Sequence, residues 1–449
     1  MDHFATLART ANKETRTAPW AQSLKAAIGT LNEDFPNDVP NIEISGMLTH
    51  WSSTQPREVL NLLKTRISSE INERYLRSLQ ISPMKRTKLV KRDSDALGDF
   101  TFMDLFAGIG GFHLALGSQG GSLVFASEID NSAKSTYAMN FGVVPFGDIR
   151  SFTRDLAGIP LPQKEISKNV PHADIIAGGF PCQPFSLAGV SSRNFHGLEH
   201  GLECEAQGTL FEDILLLARA TKPDALILEN VRNLASHDSG KTIRVIRNEI
   251  IKSGYQIFPE WTEAKNWAVV DSLAVVAQRR KRVYMVCIKN DLAKDRLAEK
   301  GPYTVPDFKI TRKFMLEQII SRDDEMTDSD KFERFGISEK LWASHQRRDQ
   351  EHARRKNGFK ANLMTDLSEP SPTLVARYYK DGKDCLIPST EEGVPPRMLT
   401  PRECALLQTF PKKFWIPDTK TPAYKQFGNA ITVEIAREIS RSLVKYLYA

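Results

Sequence analysis

The run Phe102-Met-Asp-Leu-Phe-Ala-Gly-Ile-Gly-Gly-Phe112 constrains the fold of this 449-residue chain more than any other stretch. It reads as an apolar strand passing into a glycine-rich turn and then into a helix through Leu114, Ala115 and Leu116. Such a turn lets the backbone approach a ligand closely. Glu128 stands twenty residues beyond Gly108, at the end of a second apolar run from Leu123 to Ala126. That is where a nucleotide-type fold puts a carboxylate on ribose hydroxyls. Asp148, in Gly147-Asp-Ile-Arg150, closes a third short segment. A glycine turn by itself is usually only a turn, but with Glu128 and Asp148 it favours a bound adenosine.

The turn lacks the third glycine of the dinucleotide fingerprint, since Gly108, Gly110 and Gly111 are followed by Phe112, His113 and Leu114. A pyrophosphate cradle is therefore disfavoured against a cofactor without phosphate, and S-adenosylmethionine is the candidate.

Cys182 lies in Gly178-Gly-Phe-Pro-Cys-Gln-Pro-Phe-Ser186, where a proline on each side keeps the thiol out of a helix. A lone cysteine is more often a buried small hydrophobe than a nucleophile. Its surroundings in the chain argue otherwise. Ala225 to Val231 is an apolar strand that delivers Glu229 to its carboxyl end, the edge at which open α/β sheets bind ligands. Gln278-Arg-Arg-Lys-Arg282 leads into a strand from Val283 to Ile288, and Gln426 to Thr432 opens an amphipathic helix carrying Ile435, Ile439, Leu443 and Leu447. Singly, Glu229 could be a cap and the arginines a solvated face. Together these readings lose.

On these residues the chain resembles the DNA (cytosine-5) methyltransferase family over about residues 100 to 447, in unpermuted order. The glycine turn, Pro181-Cys182, Glu229-Asn230-Val231, Gln278 to Arg282 and Gly428-Asn429 correspond to its principal motifs. Arg397 to Pro411 looks like the segment that buttresses the target-recognition region. The resemblance implies an α/β, mostly parallel Rossmann-like methyltransferase fold, with a smaller irregular, β-containing target-recognition domain. The expected division is a helical extension and basic linker over 1–98, a catalytic and cofactor-binding domain over 99–288, target recognition over 289–396 and a returning segment over 397–449.

The chemistry explains the residue types. Carbon 5 of cytosine belongs to an electron-poor ring and attacks a methyl donor only after a nucleophile adds at carbon 6. The thiolate of Cys182 is given that role. Charge builds at ring nitrogen 3, where Glu229 donates a proton or hydrogen bond; a carboxyl shielded from water keeps its proton to higher pH. By the resemblance, Arg280 and Arg282 hold that carboxyl and the base. The base must be flipped out of the duplex, at a cost on the order of a few kcal/mol.

The resemblance also implies a cofactor shell of Phe106, Gly108, Gly110, Glu128, Ile129, Asp148, Ile149, Pro181, Asn429 and Ala430. The chain departs from the family where Ile129 replaces a common aromatic, Ala277 a proline, Lys281 an acid and Ala430 a serine. Ser186 to Gln207 resembles the mobile active-site loop, with Gln183 and Ser186 as contacts to phosphate or to the gap left by the base.

Specificity is expected in the charged, irregular region 289–396, read as containing short strands. There Pro372 to Gly382 sets aromatics among cations, and Thr373, Arg377, Tyr378, Tyr379 and Lys380 are the DNA-contact candidates. The same run also reads as a β-hairpin with Asp381-Gly382 as its turn, and both readings can hold. It looks like the recognition segment of bacterial methylases acting on CCWGG, CCNGG or CCGG, which implies an internal cytosine in a CC-containing palindrome.

Composition agrees. A formal charge of +6 suits a local basic patch, and the five cysteines, Cys182, Cys204, Cys287, Cys385 and Cys404, have no metal-ligand spacing. No metal is expected. No stretch is apolar enough to span a membrane, so a cytoplasmic, DNA-associated monomer is expected, with double-stranded DNA as substrate and a cognate restriction endonuclease as potential companion. Leu60, Leu63, Ile67, Ile71 and Tyr75 form a helical stripe, followed by the basic linker Met84 to Arg92. Methylation of transfer RNA and a non-catalytic DNA-binding role are the competing functions.

Overall fold

The computed structural model describes residues 90, 92–93, 96, 98–155, 158–180, 210–258, 269–355, 361–381 and 383–449. The stripe at 60–75 and nearly all of the extension expected over 1–98 lie outside them.

The apolar runs form one seven-stranded sheet. Strand β1 (Phe100–Leu105) sits inside it, with β2 (Gly121–Ser127) parallel on one side and β3 (Ile175–Gly179) parallel on the other. β4 (Ala225–Val231) continues parallel to β3. β5 (Tyr255–Phe258) and β6 (Val269–Asp271) both pair antiparallel with β7 (Lys281–Lys289), which lies antiparallel to β4. Six of the seven strands therefore run the same way and β7 alone is reversed, so the sheet is mostly parallel, as expected, and mixed only through β7.

Alternation of side chains loads both faces. Met103, Leu105, Ile176, Leu226, Leu228 and Met285 face one layer, packed under α3 (Arg150–Thr153), α4 (Gln163–Asn169), α5 (Leu210–Thr221) and α6 (Lys241–Lys252), which follow α1 (Gly111–Ser118) and α2 (Asn131–Phe141) in the chain. Phe102, Ala177, Ile227, Tyr284 and Val286 face the other, against α1 and the terminal helix. The helix expected after Thr432 is that element: Ile435, Ile439, Leu443 and Leu447 are all buried against the sheet. Burying each is worth about 1.5–3 kcal/mol.

Residues 289–396 depart from expectation. Their described part holds α7 (Asn290–Lys300), α8 (Leu316–Ile320), α9 (Asp328–Phe335), α10 (Glu339–Arg354) and α11 (Tyr378–Asp381), and their pairings are isolated bridges such as Leu363 with Leu386 instead of short strands. Capping is the local cause: Thr327 and Ser338 each accept a backbone N–H in the first turn of α9 and α10. Helix α7 packs through Ala293 on the sheet. Helices α8, α9 and α11 share a core with α12 (Pro401–Leu407) and α13 (Lys420–Asn429), through Leu316, Phe335, Leu374, Tyr378, Leu406, Phe414 and Phe427. The chain ends in α14 (Val433–Tyr448).

Candidate active site

Because β1, β2, β3 and β4 are mutually parallel, their carboxyl ends share one edge, and the chain leaves β1 towards neighbours on both sides. Open sheets bind ligands at that place. The turn after β1 needs left-handed backbone at Phe106, Gly108 and Gly110, with φ of 54°, 52° and 88°. Gly108 donates its N–H to Glu128 Oε2 at 2.8 Å, and Asp130 donates to Oε1 at 2.8 Å. Burial pushes the Glu128 carboxyl up, against the pull of these amides.

The space beside the turn suits an adenosine. A Cβ on Gly108 would meet nothing within 4 Å, so the backbone there is open to a ligand, while one on Gly111 would meet Ile431 Cγ1 at 2.5 Å. Ile129 is 68% exposed beside Glu128, apolar surface left for a flat ring. Each Glu128 oxygen accepts one amide and keeps a lone pair. Asp148 accepts from the Arg150 backbone N–H at 3.0 Å and from its Nε at 2.9 Å. Burial raises its pKa, but Arg150 outweighs that and holds it below the usual range. Ile149 is buried in the core, and Asn429 and Ala430 form the end of α13.

Beneath the turn lies a group that the reading by motif missed. Asp104 is buried on β1 and accepts from Tyr137 Oη at 3.4 Å, and Tyr137 is 2.7 Å from His113 Nδ1. Burial pushes Asp104 well above its ordinary value and His113 down to about 3, favouring the uncharged form of each. The available signal was one acid inside an apolar strand.

On the other side of β3, Glu229 pairs in register with Gly179. A Cβ on Gly179 would stand 3.2 Å from Glu229 Oε2, so glycine lets the carboxyl lie against the strand. Across β7 its register partner is Tyr284, and alternation brings Arg282 to the same face. Arg282 Nε meets Glu229 Oε1 at 3.1 Å. Burial raises the Glu229 pKa, and the charges of Arg282 and Arg280 only partly offset it.

Arg280 requires a correction. Its guanidinium donates to the carbonyls of Leu374 at 2.7 Å, Gly428 at 3.2 Å and Ala430 at 2.7 Å, rather than holding the carboxyl. The motif gave its spacing but not which backbone would fold over it. Asn230, assigned no role from sequence, donates to Phe180 O at 3.0 Å and accepts from Val231 N–H at 2.8 Å, pinning the end of β3.

Phe180 is the residue two before Cys182. Pro181, Cys182, Gln183, Ser186 and the loop to Gln207 lie outside the described residues. The three described cysteines, Cys287, Cys385 and Cys404, are free and buried, and burial pushes each thiol up, which suits none to nucleophilic attack.

The recognition run is partly corrected. Tyr378 is 1% exposed; its hydroxyl donates to Cys385 O at 3.1 Å and accepts from Leu399 N–H at 2.8 Å, so it is a core residue and not a DNA contact. Tyr378–Asp381 is helical, which replaces the hairpin reading; Gly382 lies outside the described residues. Thr373 donates its hydroxyl to Arg279 O, while Arg377, Tyr379 and Lys380 are exposed. Among the described residues no group of three or more His, Cys, Asp or Glu could hold a metal, and no helix is long and apolar enough to cross a membrane.

A family model described as C-5 cytosine-specific DNA methylase matches residues 100–445. The DNA-cytosine methyltransferase of Escherichia coli (strain K12) is 35% identical over 379 residues, covering 77% of each chain. The type II methyltransferase M1.ScrFI of Lactococcus lactis subsp. cremoris is 35% identical over 373 residues, covering 83% of each. Among solved structures, the DNMT2 of Spodoptera frugiperda aligns with a TM-score of 0.53 at 19% identity, covering 78% of this chain and 100% of that one, which speaks to the fold alone.

Proposed function

The chain belongs to the C-5 cytosine-specific DNA methylase family, and from that premise we propose that it methylates an internal cytosine of a CC-containing palindrome through a covalent adduct on Cys182. The activity common to the family is DNA (cytosine-5)-methyltransfer, and its cofactor is S-adenosylmethionine. The observation that carries the covalent reading is Glu229 on β4, the strand next to β3, whose exit leads to Cys182: it is a buried carboxyl with a raised pKa, held by one arginine from β7.

In this reading the Cys182 thiolate forms a bond to carbon 6 of a flipped cytosine, and the displaced electron pair reaches nitrogen 3. Glu229 supplies a proton or hydrogen bond there. Carbon 5 is then a nucleophile. Bound S-adenosylmethionine supplies an electrophilic methyl group. Loss of the carbon 5 proton afterwards restores the double bond and releases the thiolate. Phe106, Gly108 and Gly110 would hold the cofactor from the turn after β1, Glu128 at the end of β2 the ribose, Ile129, Asp148 and Ile149 the adenine, and Pro181, Asn429 and Ala430 the methionine end.

Arg377, Tyr379 and Lys380 are the DNA contacts we retain from the recognition run, with Gln183 and Ser186 on the active-site loop. The catalytic part begins near residue 99 and extends through α7, recognition occupies the remainder up to 396, and 397–449 returns to the sheet. A monomer acting on duplex DNA follows, with a restriction endonuclease for the same site as its natural companion.

Tritium transfer from labelled S-adenosylmethionine to duplex DNA and to transfer RNA, followed by bisulfite sequencing of the DNA, tests this. Label in DNA at one cytosine of a CC-containing palindrome is expected. Label confined to transfer RNA, or spread over unrelated cytosines, would overturn it.

A further inference from the structure

The stretch before β7 is woven into the recognition run. Ser371 donates its N–H to Ala277 O at 2.9 Å, Arg279 donates to Ser371 O at 2.9 Å, and Leu374 donates to Gln278 Oε1 at 2.9 Å. Arg280 then reaches in two directions from one buried guanidinium. Nη1 donates to Leu374 O, in the recognition run, at 2.7 Å, and Nη2 donates to Ala430 O, at the cofactor end of α13, at 2.7 Å. Beside it Gly428 lies directly on the backbone of Val375 and Ala376, with no room for a Cβ. Ile431, which follows Ala430, packs on Gly111 at the end of the cofactor turn and approaches Gly179 of β3.

From this geometry we propose that Arg280 is a positioning residue that couples DNA engagement to cofactor binding. The proposal rests on the methyltransferase reading and adds a regulatory link to it. Val375 and Tyr379 are 37% and 39% exposed on the recognition run, so a duplex held there fixes the segment that presents the Leu374 carbonyl. A guanidinium is planar and rigid, and its bonds are directional, so a shift of Leu374 is passed to Ala430 instead of being absorbed. The loop of Asn429 and Ala430 is thereby set only when the recognition run is set. Thermodynamic linkage requires the converse: bound cofactor tightens DNA by the same factor.

The test is a binding cycle on the full chain, with S-adenosylhomocysteine as the unreactive probe. Its Kd is measured alone and with duplexes carrying CCGG, CC(A/T)GG or an unrelated sequence of equal length. In the wild type a duplex carrying the site is expected to tighten the probe by about tenfold, within the usual span of coupling factors. Arg280→Lys keeps the charge but loses the fork, and the ratio should fall to near one in protein whose circular dichroism is unchanged. Thr373→Val, which removes only the hydroxyl bond to Arg279 O, is the second variant and should lower the ratio part way. An unchanged ratio in either folded variant, or no effect of any duplex on the wild type, overturns the coupling and leaves the methyltransferase reading standing on its own tritium assay. Failure of the wild type to bind the probe at all defeats the reading and the coupling together.

Discussion

Two buried arginine–glutamate pairs in this molecule are built from the same groups to different ends. In the core shared by α8, α9 and α12, Arg397 grips Glu403 by two bonds of 2.8 and 2.9 Å, Thr400 donates its N–H to the same carboxylate at 2.8 Å, and Lys331 stands 3.9 Å away. At the edge of the sheet, Glu229 has Arg282 at 3.1 Å on one oxygen, and burial raises its pKa. A fully satisfied carboxylate is a fixed structural charge; a desolvated carboxyl with one partner can exchange a proton with a substrate. On the proposed mechanism, satisfaction rather than burial separates scaffold from chemistry.

Five substitutions sharpen or break that contrast. Glu229→Gln should lower single-turnover methyl transfer by about 10²–10⁴-fold while leaving the melting temperature close to that of the wild type. An equal loss of duplex binding would make Glu229 a structural residue. Arg397→Met should do the reverse and destabilise the fold by about 3–5 kcal/mol in urea unfolding, since it strands Glu403 in the core. A stable variant that had lost activity would put the two pairs on one footing.

The pH profile separates them further. With Glu229 required in its acid form, transfer falls as pH rises through its raised pKa. Arg282 favours the charged form, so Arg282→Gln should move the alkaline limb of the single-turnover profile upward, at reduced rate. A downward shift would contradict the assignment. Tyr378→Phe, which deletes a buried hydroxyl bonded to Cys385 O and Leu399 N–H, should cost about 1–3 kcal/mol of stability and leave the methylated sequence unchanged. A changed sequence would return Tyr378 to the DNA.

The smallest effect is expected where α14 is tied to the start of the described chain. Burial raises the Asp93 pKa, but bonds from Arg437, Gln119 and Arg441 outweigh it and bring it to about 2. A lowered folded pKa means stability that is present above about pH 4 and is lost as pH falls towards about 2. Asp93→Asn should flatten that acid limb and little else.

What the chain disclosed in advance follows the same division. The bond between the glycine turn and Glu128 and the pairing of Glu229 with Arg282 were legible because short local motifs on strand ends place these groups. Helices α8, α9 and α11 were not, because their apolar faces are completed by α12 and α13 from more distant sequence. Tyr378 and Arg280 were misassigned for one reason: their residue types suit DNA or carboxylate contacts, and only the folded backbone shows which carbonyls they meet. Asp104 and Asn230 went unassigned because they act on neighbouring groups within the fold.

The covalent step can be caught directly. A duplex carrying 5-fluorocytosine at the target position, incubated with the protein and S-adenosylmethionine, cannot lose a proton from carbon 5 after methylation, so the sulfur–carbon 6 bond should persist. Peptide mapping is expected to place the oligonucleotide on Cys182. Methylation of the unmodified site by the same preparation, with no adduct on the fluorinated one, would contradict the account.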